Sequence, residues 1–471
     1  MKRSVAAVTS DRRLQLLLVA FCFGAFIEGC AGFGAPVAIA GAFMIGLGFK
    51  PFQAAVLNLI ANTSPVAWGA IGTPVHTLAA VTSLNESDLN AMIGRILPVT
   101  ALIVPVWLVM TMVSWKETLE VMPAILVVGG CFAATQWFWA NRMDSNLVDI
   151  SAAIVSLLVT LLFLRVWRPK NIWRFAHEKG IHELQIPQEA SPARTYSARQ
   201  IARAWMPFAI LSIFVLCWGL PSIKTALNQA TTPSFKVVLA DGKPRPGPPG
   251  WDWPYLHGKV SRTTPVVPKP TPEAARFDLN WLTATGTGCF LAAIVAGLLL
   301  GLGFGRIFAI FGKTLVRLRF AIIAMTCMLG IGYVTRYSGM DAVLGLAFTR
   351  TGWLFPFFGT YIGWLGVALT GSDTSSNALF GSLQKITAQQ LNLSPILMCA
   401  TNSAGGVMGK MIDAQSICIA TAATNQVGNE GSIFRFLFWH SVALAAIVGV
   451  IVMIYAYVLP QYIPNGLNFV H

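Results

Sequence analysis

Long apolar runs separated by short polar or basic segments make up almost the whole chain. A helix that crosses a bilayer needs roughly 20 mainly apolar residues, and most of the runs reach that length. The segment Phe33–Phe49 returns to Lys50, and Phe52–Ala80 is apolar but broken at Asn62–Pro65. The pattern predicts an all-α polytopic membrane protein with roughly a dozen transmembrane or re-entrant helices. The continuous spans that we predict are Leu14 to about Gly32, Ile93–Val113, Val121–Ala140, Leu147–Val166, Ala204–Leu220, Leu279–Leu302, Phe320–Leu346, Trp353–Thr370 and Phe434–Leu459.

Two apolar regions are interrupted in the same way. Gly-rich polar breaks lie at Glu28–Pro36 and Asn62–Gly69 in the first region, and at Gly371–Asn377 and Asn402–Lys410 in the second. Counted from glycine to asparagine, the two breaks are 30 positions apart in the first region and 31 in the second. Paired interruptions in two halves of a membrane chain point to a transporter binding site. The parity of the spans predicts that the halves are inverted-topology repeats with broken helices.

The same count divides the chain into membrane and loop regions. Lys and Arg are enriched on the cytoplasmic side, which places the basic N-terminus and a basic loop there. A further segment holds ten prolines from Pro233 to Pro272, which predicts an extended or irregular insert. We predict a first membrane repeat at 1–166, a basic cytoplasmic loop at 167–203, a transmembrane span at 204–220, a Pro-rich extracytoplasmic insert at 221–278, a second membrane repeat at 279–459 and a C-terminal tail at 460–471.

Composition narrows the class further. Hydrophobic residues are 55% and charged residues 11% of the chain, against roughly 25% charged in soluble domains. The net charge of +14 lies in loops between spans, so it indicates membrane orientation and not nucleic-acid binding. The eight cysteines fall in apolar runs without a CxxC pair, so we expect no disulfide framework, no metal site and no cofactor.

Few charges are expected at membrane depth. The acids left there are Glu28, Asp373 and Asp413, and the deep basic candidates are Lys410, Arg95 and Arg336. A charge at the centre of a membrane helix costs about 2.5–3.5 kcal/mol, so such residues line the bundle interior. We interpret Glu28 and Asp373 as functional because both sit at breaks. An i,i+3 ion pair with Lys410 is the preferred interpretation of Asp413, whereas for Lys410 the ion pair and substrate contact both stay open.

Small polar residues cluster at the breaks as well. Helix N-termini there would present free N–H groups and a positive dipole end, which suit a carboxylate. Packing of small residues between helices would explain the glycines but not the polar run from Ser372 to Asn377. His76, at a span end, fits hydrogen-bonded structure better than proton transfer. The candidate substrate-binding residues are Gly32, Gly34, Asn62, Thr63, Ser64, Ser372, Thr374, Ser375, Ser376, Asn377, Asn402, Ser403 and Lys410.

At these motifs the chain resembles the lactate permease family of bacterial carboxylate symporters. The resemblance implies proton-coupled uptake of L-lactate, D-lactate or glycolate across the bacterial inner membrane. In our own hypothesis from the residues, Glu28 or Asp373 carries the proton. A looser likeness to the ion transporter superfamily implies an elevator-type motion and a homodimer. Family members have more spans before the first motif, which implies that this chain is shortened at its N-terminus. The matching stretches are Glu28–Val37, Gly48–Pro51, Asn62–Ala70, Leu369–Phe380 and Gly405–Met411 with Gln415 and Ser416.

The leading hypothesis is a secondary active transporter that moves a short 2-hydroxymonocarboxylate with a proton. One alternative keeps the architecture but uses sodium as the coupling ion or a dicarboxylate as the substrate. Alternatives of another class are an intramembrane enzyme and a non-transporting membrane subunit. Neither an HExxH motif nor a recognisable Ser/His/Asp grouping supports an enzyme.

Overall fold

Helices form most of the computed structural model, which describes residues 8–32, 34–175, 198–219, 221–231, 250–263, 270–279 and 281–464. In chain order the helices are α1 (Arg12–Ala31), α2 (Ala35–Leu47), α3 (Pro51–Ala61), α4 (Gly69–Thr82), α5 (Glu86–Met112), α6 (Trp115–Glu120), α7 (Met122–Arg142), α8 (Val148–Val166), α9 (Ala198–Gly219), α10 (Pro221–Thr231), α11 (Thr285–Leu299), α12 (Phe304–Ser338), α13 (Met340–Phe348), α14 (Phe355–Thr370), α15 (Asp373–Gln390), α16 (Pro395–Gly409), α17 (Ala414–Ala423) and α18 (Glu430–Tyr457). Short 3₁₀ turns lie at Val66–Trp68, Thr349–Leu354, Lys410–Ile412 and Pro460–Tyr462.

Six helices among the described residues are long and apolar enough to cross a membrane. A seventh candidate is the pair α3 and α4, whose axes are bent by 66° at a break. The protein is therefore a mainly α-helical, multi-pass membrane protein, as predicted. The number of roughly a dozen membrane helices stays a prediction. The six helices are α1, α5, α7, α8, Leu346–Thr370 and α18.

The insert at 221–278 differs from the irregular segment that we predict. Pro221–Thr231 forms helix α10, because its proline stands at the helix start, where it is tolerated. Four short strands follow and form two antiparallel pairs. In one pair Trp251 packs on Phe277, with ring centroids 4.8 Å apart. The strands are β1 (Gly250–Asp252), β2 (Ser261–Arg262), β3 (Thr271–Pro272) and β4 (Arg276–Asp278), with β1 paired to β4 and β2 to β3. Residues 232–249 and 264–269 lie outside the described chain.

Local sequence determines where several helices begin. Asn85 caps α5 by accepting from the backbone N–H groups of Ser87 and Asp88 at 2.9 and 3.3 Å. Ser394 caps α16 by accepting from Leu397 N at 3.2 Å, and Pro395 takes the first helical position. Each cap satisfies backbone donors that have no partner within the helix.

A buried ion pair joins the N-terminal end of α1 to the loop after α8. The Arg13 guanidinium is fully buried and contacts Asp11 at 2.7 Å and Glu120 at 2.9 Å. It also donates to the backbone carbonyl of Asn171 at 2.8 Å. The N-terminal end of α1, the short helix α6 and this loop therefore lie at the same membrane face, called here the Arg13 face.

The two helices that follow a Gly-rich break run toward opposite faces. Helix α2 leads to Phe49, whose ring lies 5.1 Å from that of Phe175, close to the Arg13 face. Helix α15 runs the other way, because its Lys385 donates to the carbonyl of Thr82 at 2.6 Å, at the far end of α4. Each of these helices returns to the face from which the preceding helix came.

Candidate functional site

A small cavity lies where the two regions of broken helix meet. Both halves of the chain contribute to its wall, and the wall holds two carboxyl groups and one ammonium group. The lining residues are Glu28, Gly32, Val66, Gly69, Ala70 and Pro74 from the first half, and Gly371, Ser372, Asp373, Thr374 and Lys410 from the second.

The first break begins where α1 ends. Gly32 has φ +61° and ψ −158°, a conformation that an L residue with a side chain would adopt only under strain. Glu28 lies one turn earlier with 3% of its surface exposed, and its carboxyl packs against the backbone of α4. A Cβ atom added to Gly69 would lie 2.8 Å from Glu28 Oε1. A glycine at position 69 thus lets the carboxyl reach the cavity wall.

The second break of the first half is an unwound segment between α3 and α4. Helix α3 ends at Ala61, as the polar residues from Asn62 onward predict. The unwinding extends into the first turn of α4, where Ala70 and Ile71 have left-handed backbone angles, with φ of 46° and 60°. Such angles cost about 1–2 kcal/mol for each L residue and are concentrated at functional sites. Because Ala70 lines the cavity, the strained backbone belongs to its wall.

A helix N-terminus faces the cavity from the second half. Gly371, with φ +73°, ends α14 and directs the chain back into α15. Ser372 caps α15 by accepting from Ser375 N at 3.3 Å. The N–H groups of Asp373 and Thr374 stand in the first turn, where no helical carbonyl precedes them. This end of α15 therefore carries backbone donors and the positive end of the helix dipole, both of which favour an anion.

Asp373 is buried within a polar network. Its Oδ2 atom accepts hydrogen bonds from Ser403 Oγ and, at 3.4 Å, from Asn377 Nδ2, whereas Oδ1 has no partner. Gly406 passes so close to Oδ1 that a side chain there would collide with it. Sequence reasoning anticipates hydroxyl groups around Asp373, but the donating hydroxyl comes from α16 and not from its own run.

Lys410 is buried at the end of α16. Its ammonium group donates to the carbonyl of Gly371 at 2.5 Å and lies 3.5 Å from Asp413 Oδ2. Asp413 also caps α17, since its Oδ1 accepts from Ser416 N at 2.6 Å. The expected i,i+3 contact is thus present. Lys410 therefore both contacts Asp413 and lines the cavity.

The break predicted at Asn402 is wrong. Helix α16 continues through Asn402 and Ser403 to Gly409, and the interruption comes at Lys410–Ile412. The glycines of α16 serve close packing, because a Cβ on Gly405 or Gly409 would collide with carbonyl oxygens of α14. Packing of small residues is the physical reason for the Gly-rich composition here.

The remaining candidates are divided between the cavity wall and its surroundings. Glu28, Gly32, Ser372, Asp373, Thr374 and Lys410 line the cavity. Gly34 does not; it contacts α17, where a Cβ would lie 2.7 Å from Ile419 Cδ1. Those that are buried but do not line the cavity are Asn62, Thr63, Ser64, Ser375, Ser376, Asn377, Asn402 and Ser403. His76 makes the hydrogen-bonded contacts expected of it, 2.9 Å from both Asn146 and Glu86.

Sequence reasoning does not identify Asp149 as a residue of the protein interior. Asp149, in the first turn of α8, is 1% exposed and lies beside Gly29, whose Cβ position is 3.2 Å from Asp149 Cβ. Asp149 stands at the edge of the predicted span Leu147–Val166, and acids at span edges are not counted among those at membrane depth. Gln136, which is also buried and polar within an apolar helix, is the signal that could have indicated a polar interior there.

Comparison with known proteins gives consistent matches. A family model described as L-lactate permease matches residues 1–459. The chain is 46% identical over 461 residues to the glycolate permease GlcA of Escherichia coli (strain K12), covering 97% of this chain and 80% of that protein. It is 42% identical over 470 residues to the L-lactate permease of the same strain, covering 98% and 81%. It is 40% identical over 467 residues to the L-lactate permease of Bacillus subtilis (strain 168), covering 98% and 82%. No solved structure matches the chain.

Proposed function

The chain belongs to the L-lactate permease family, and on that premise we propose that it takes up lactate, glycolate or a related short 2-hydroxymonocarboxylate by proton symport. The relatives are named as permeases, so the protein is a transporter and not an enzyme. We further propose that it works in the bacterial inner membrane, since the named relatives are bacterial.

The observation that carries the proposal is the makeup of the cavity. A helix N-terminus and the Lys410 ammonium group approach it beside two carboxyl groups, Glu28 and Asp373. The amides and the ammonium group suit a carboxylate, whereas a carboxyl group can accept and release a proton. A single small cavity thus offers a place for each of the two transported species.

We assign binding of the substrate anion to residues of the second half of the chain. In our proposal the substrate carboxylate accepts from the backbone N–H groups at the start of α15 and from Lys410. The hydroxyl groups of Ser372 and Thr374, which line the same wall, would bind the substrate 2-hydroxyl. The neighbouring Asn377, Asn402 and Ser403 would hold Asp373 in position, as their hydrogen bonds to one another and to its carboxyl suggest.

In our proposal Glu28, Asp373 or both bind the coupled proton. One anion and one proton move together without net charge, so the pH gradient drives accumulation. Each pH unit is worth about 1.4 kcal/mol, and two units support roughly a hundredfold accumulation. Asn62 lies beside Glu28 and would orient its carboxyl.

We propose that the two regions of broken helix are inverted-topology repeats. In each region a helix ends at a glycine with positive φ, a second helix follows, and a third helix precedes another break. The opposite directions of α2 and α15 support the inversion. Alternating access through an elevator-type motion, and a homodimer to anchor it, are the further expectations of this proposal.

Uptake of labelled L-lactate and glycolate into proteoliposomes of the purified protein tests the function. An inward proton gradient should drive accumulation that a protonophore abolishes, and replacing sodium with choline should change nothing. Uptake that follows sodium and ignores pH would exclude proton coupling. A dicarboxylate that competes better than lactate would exclude the substrate assignment.

A further inference from the structure

Several buried polar atoms around Glu28 and Asp149 have no hydrogen-bond partner. Buried polar groups normally find partners, and those that do not require an explanation such as ordered water or a proton-transfer role. Helix α8, helix α7, helix α1 and the unwound segment before α4 each contribute to this group. Among the described residues its members include Glu28 Oε2, Asn62 Nδ2 and Oδ1, Ser64 Oγ, Gln136 Oε1 and Asp149 Oδ2.

Asp149 is the second carboxyl of the group. Its Oδ1 atom accepts from Gln136 Nε2 at 3.3 Å, and the same amide lies 3.4 Å from the carbonyl of Ser64. The backbone N–H of Trp68 also faces this carboxyl. Asp149 is thus connected by Gln136 to the unwound segment that forms part of the cavity wall.

Asp149 and Glu28 are held close to each other by tight packing of α1 on α8. A Cβ atom on Gly29 would lie 2.9 Å from Ile150 Cγ1 and 3.2 Å from Asp149 Cβ, so only glycine fits there. The two carboxyl groups are near enough to interact electrostatically. Two carboxylates that share a dry site repel each other when both are ionised, so a proton held between them is stabilised.

We propose that Asp149 is a second proton-binding carboxyl of the transport cycle, which exchanges its proton with Glu28. This inference rests on the proposed proton symport and assigns that function a residue outside the cavity. In the step, a proton leaves a carboxyl oxygen of one residue and binds a carboxyl oxygen of the other, directly or through the polar atoms between them. The donor becomes a carboxylate and the acceptor a neutral acid, and no electrons are transferred.

The surroundings of Asp149 suit such a transfer. Glu28 on α1 is the titratable group that faces it from the cavity side, and Gln136 on α7 is neutral. On the other side, the loop before α8 reaches a solvent-accessible pair, where His76 contacts Asn146 and Glu86, each at 2.9 Å. Asp149 therefore lies between a carboxyl of the cavity and a partly exposed pair of titratable side chains.

The test compares net uptake with exchange in proteoliposomes of the full chain. Exchange of internal for external lactate lets the loaded protein cross without releasing its proton, whereas net uptake requires that release. For Asp149→Asn we expect proton-driven net uptake to fall at least about tenfold while exchange stays within about twofold. Asp144→Asn, in the loop just before α8, is the matched control and should leave both rates unchanged.

A second variant distinguishes proton binding by Asp149 from a purely structural role. Asp149→Glu keeps an ionisable carboxyl, and it should recover net uptake with an altered pH profile. Normal net uptake by Asp149→Asn, with the wild type driven by pH, would overturn the inference alone. Equal loss of exchange and net uptake in both Asp149 variants would also overturn it, since it would assign Asp149 to structure. A wild type that ignores the pH gradient would instead refute the proposed symport itself.

Discussion

Lys410 donates from the end of helix α16 to the carbonyl oxygen of Gly371, the residue that ends helix α14, at 2.5 Å. The two breaks of the second half are therefore joined by one buried ammonium group. Asp413, at 3.5 Å, balances its charge only in part, because that carboxylate also caps α17. The cation thus remains available to an anion in the cavity.

Replacing Lys410 should abolish transport through two separable effects. Lys410→Met removes the cation and leaves Asp413 as an uncompensated buried charge, which costs about 3–5 kcal/mol of stability. Lys410→Met combined with Asp413→Asn should restore thermal stability in detergent, because asparagine also caps a helix. It should not restore lactate uptake. Recovery of uptake in the double variant would contradict a role for Lys410 in binding, and the exposed Lys116→Met serves as a control.

Neutral variants of the two cavity acids should separate proton coupling from substrate movement. Glu28→Gln and Asp373→Asn keep the shape of the side chain but cannot release a proton. At least one should lose proton-driven accumulation by about tenfold or more while it still exchanges lactate, because a permanently neutral side chain mimics the loaded state. Its uptake should also lose its dependence on external pH. Normal accumulation by both variants would show that neither acid carries the proton.

Gly69 should tolerate no side chain. Gly69→Ala places a Cβ atom 2.8 Å from Glu28 Oε1, so the carboxyl or the unwound segment must shift, at a cost of about 1–3 kcal/mol. We expect a large loss of uptake with little loss of expression, measured as transport per purified protein. Gly130→Ala is the matched control, because nothing lies within 4 Å of its Cβ position and alanine favours the helix by roughly 0.5–1 kcal/mol. Similar uptake by the two variants would disprove this close contact.

The Arg13 face should contribute to stability and not to transport chemistry. Arg13→Met leaves the fully buried Asp11 without its partner, so unfolding in detergent should be easier by about 3–5 kcal/mol. Exchange activity of the folded fraction should persist, and Arg12→Met, on the neighbouring residue, should have a smaller effect. Unchanged thermal unfolding of Arg13→Met would contradict this assignment.

The same face predicts a pH dependence of stability. The hydrogen bond from Arg13 holds the pKa of Glu120 below its usual range, and hydrogen bonds from Ser114 do the same for Glu117. A carboxyl with a lowered pKa stabilises the folded state above its unfolded pKa, and that contribution is lost as pH falls through the folded value. The thermal stability of the wild type should therefore decrease on acidification below about pH 4–5, and the decrease should be smaller in the variant Glu117→Gln.

The helix breaks were predictable where the local sequence alone ends a helix. Gly32 and Gly371 follow long apolar helices and adopt positive φ, which glycine reaches without strain. Asn62 ends α3 because a run of short polar residues and a proline follows it. At these positions the local sequence alone determines the helix break, so the sequence pattern was enough to predict it.

Other features depend on neighbours that no local pattern reveals. The glycines near Asn402 resemble a break, but α14 packs against them and keeps α16 helical. Asp149 stands at the edge of its span, and its burial depends on Gly29 and Gln136, which are distant in sequence. Ser376 and Asn377 likewise make their hydrogen bonds to α14, α16 and the first half.

The cavity wall has a consequence for biosynthesis. Its members range from Glu28 to Lys410, so the ribosome must deliver most of the polypeptide before the pocket can close. Until then the early acids stand in an unfinished bundle with no cation opposite them. A polypeptide that stops before Lys410 therefore lacks part of the cavity wall and is not a half-sized working unit.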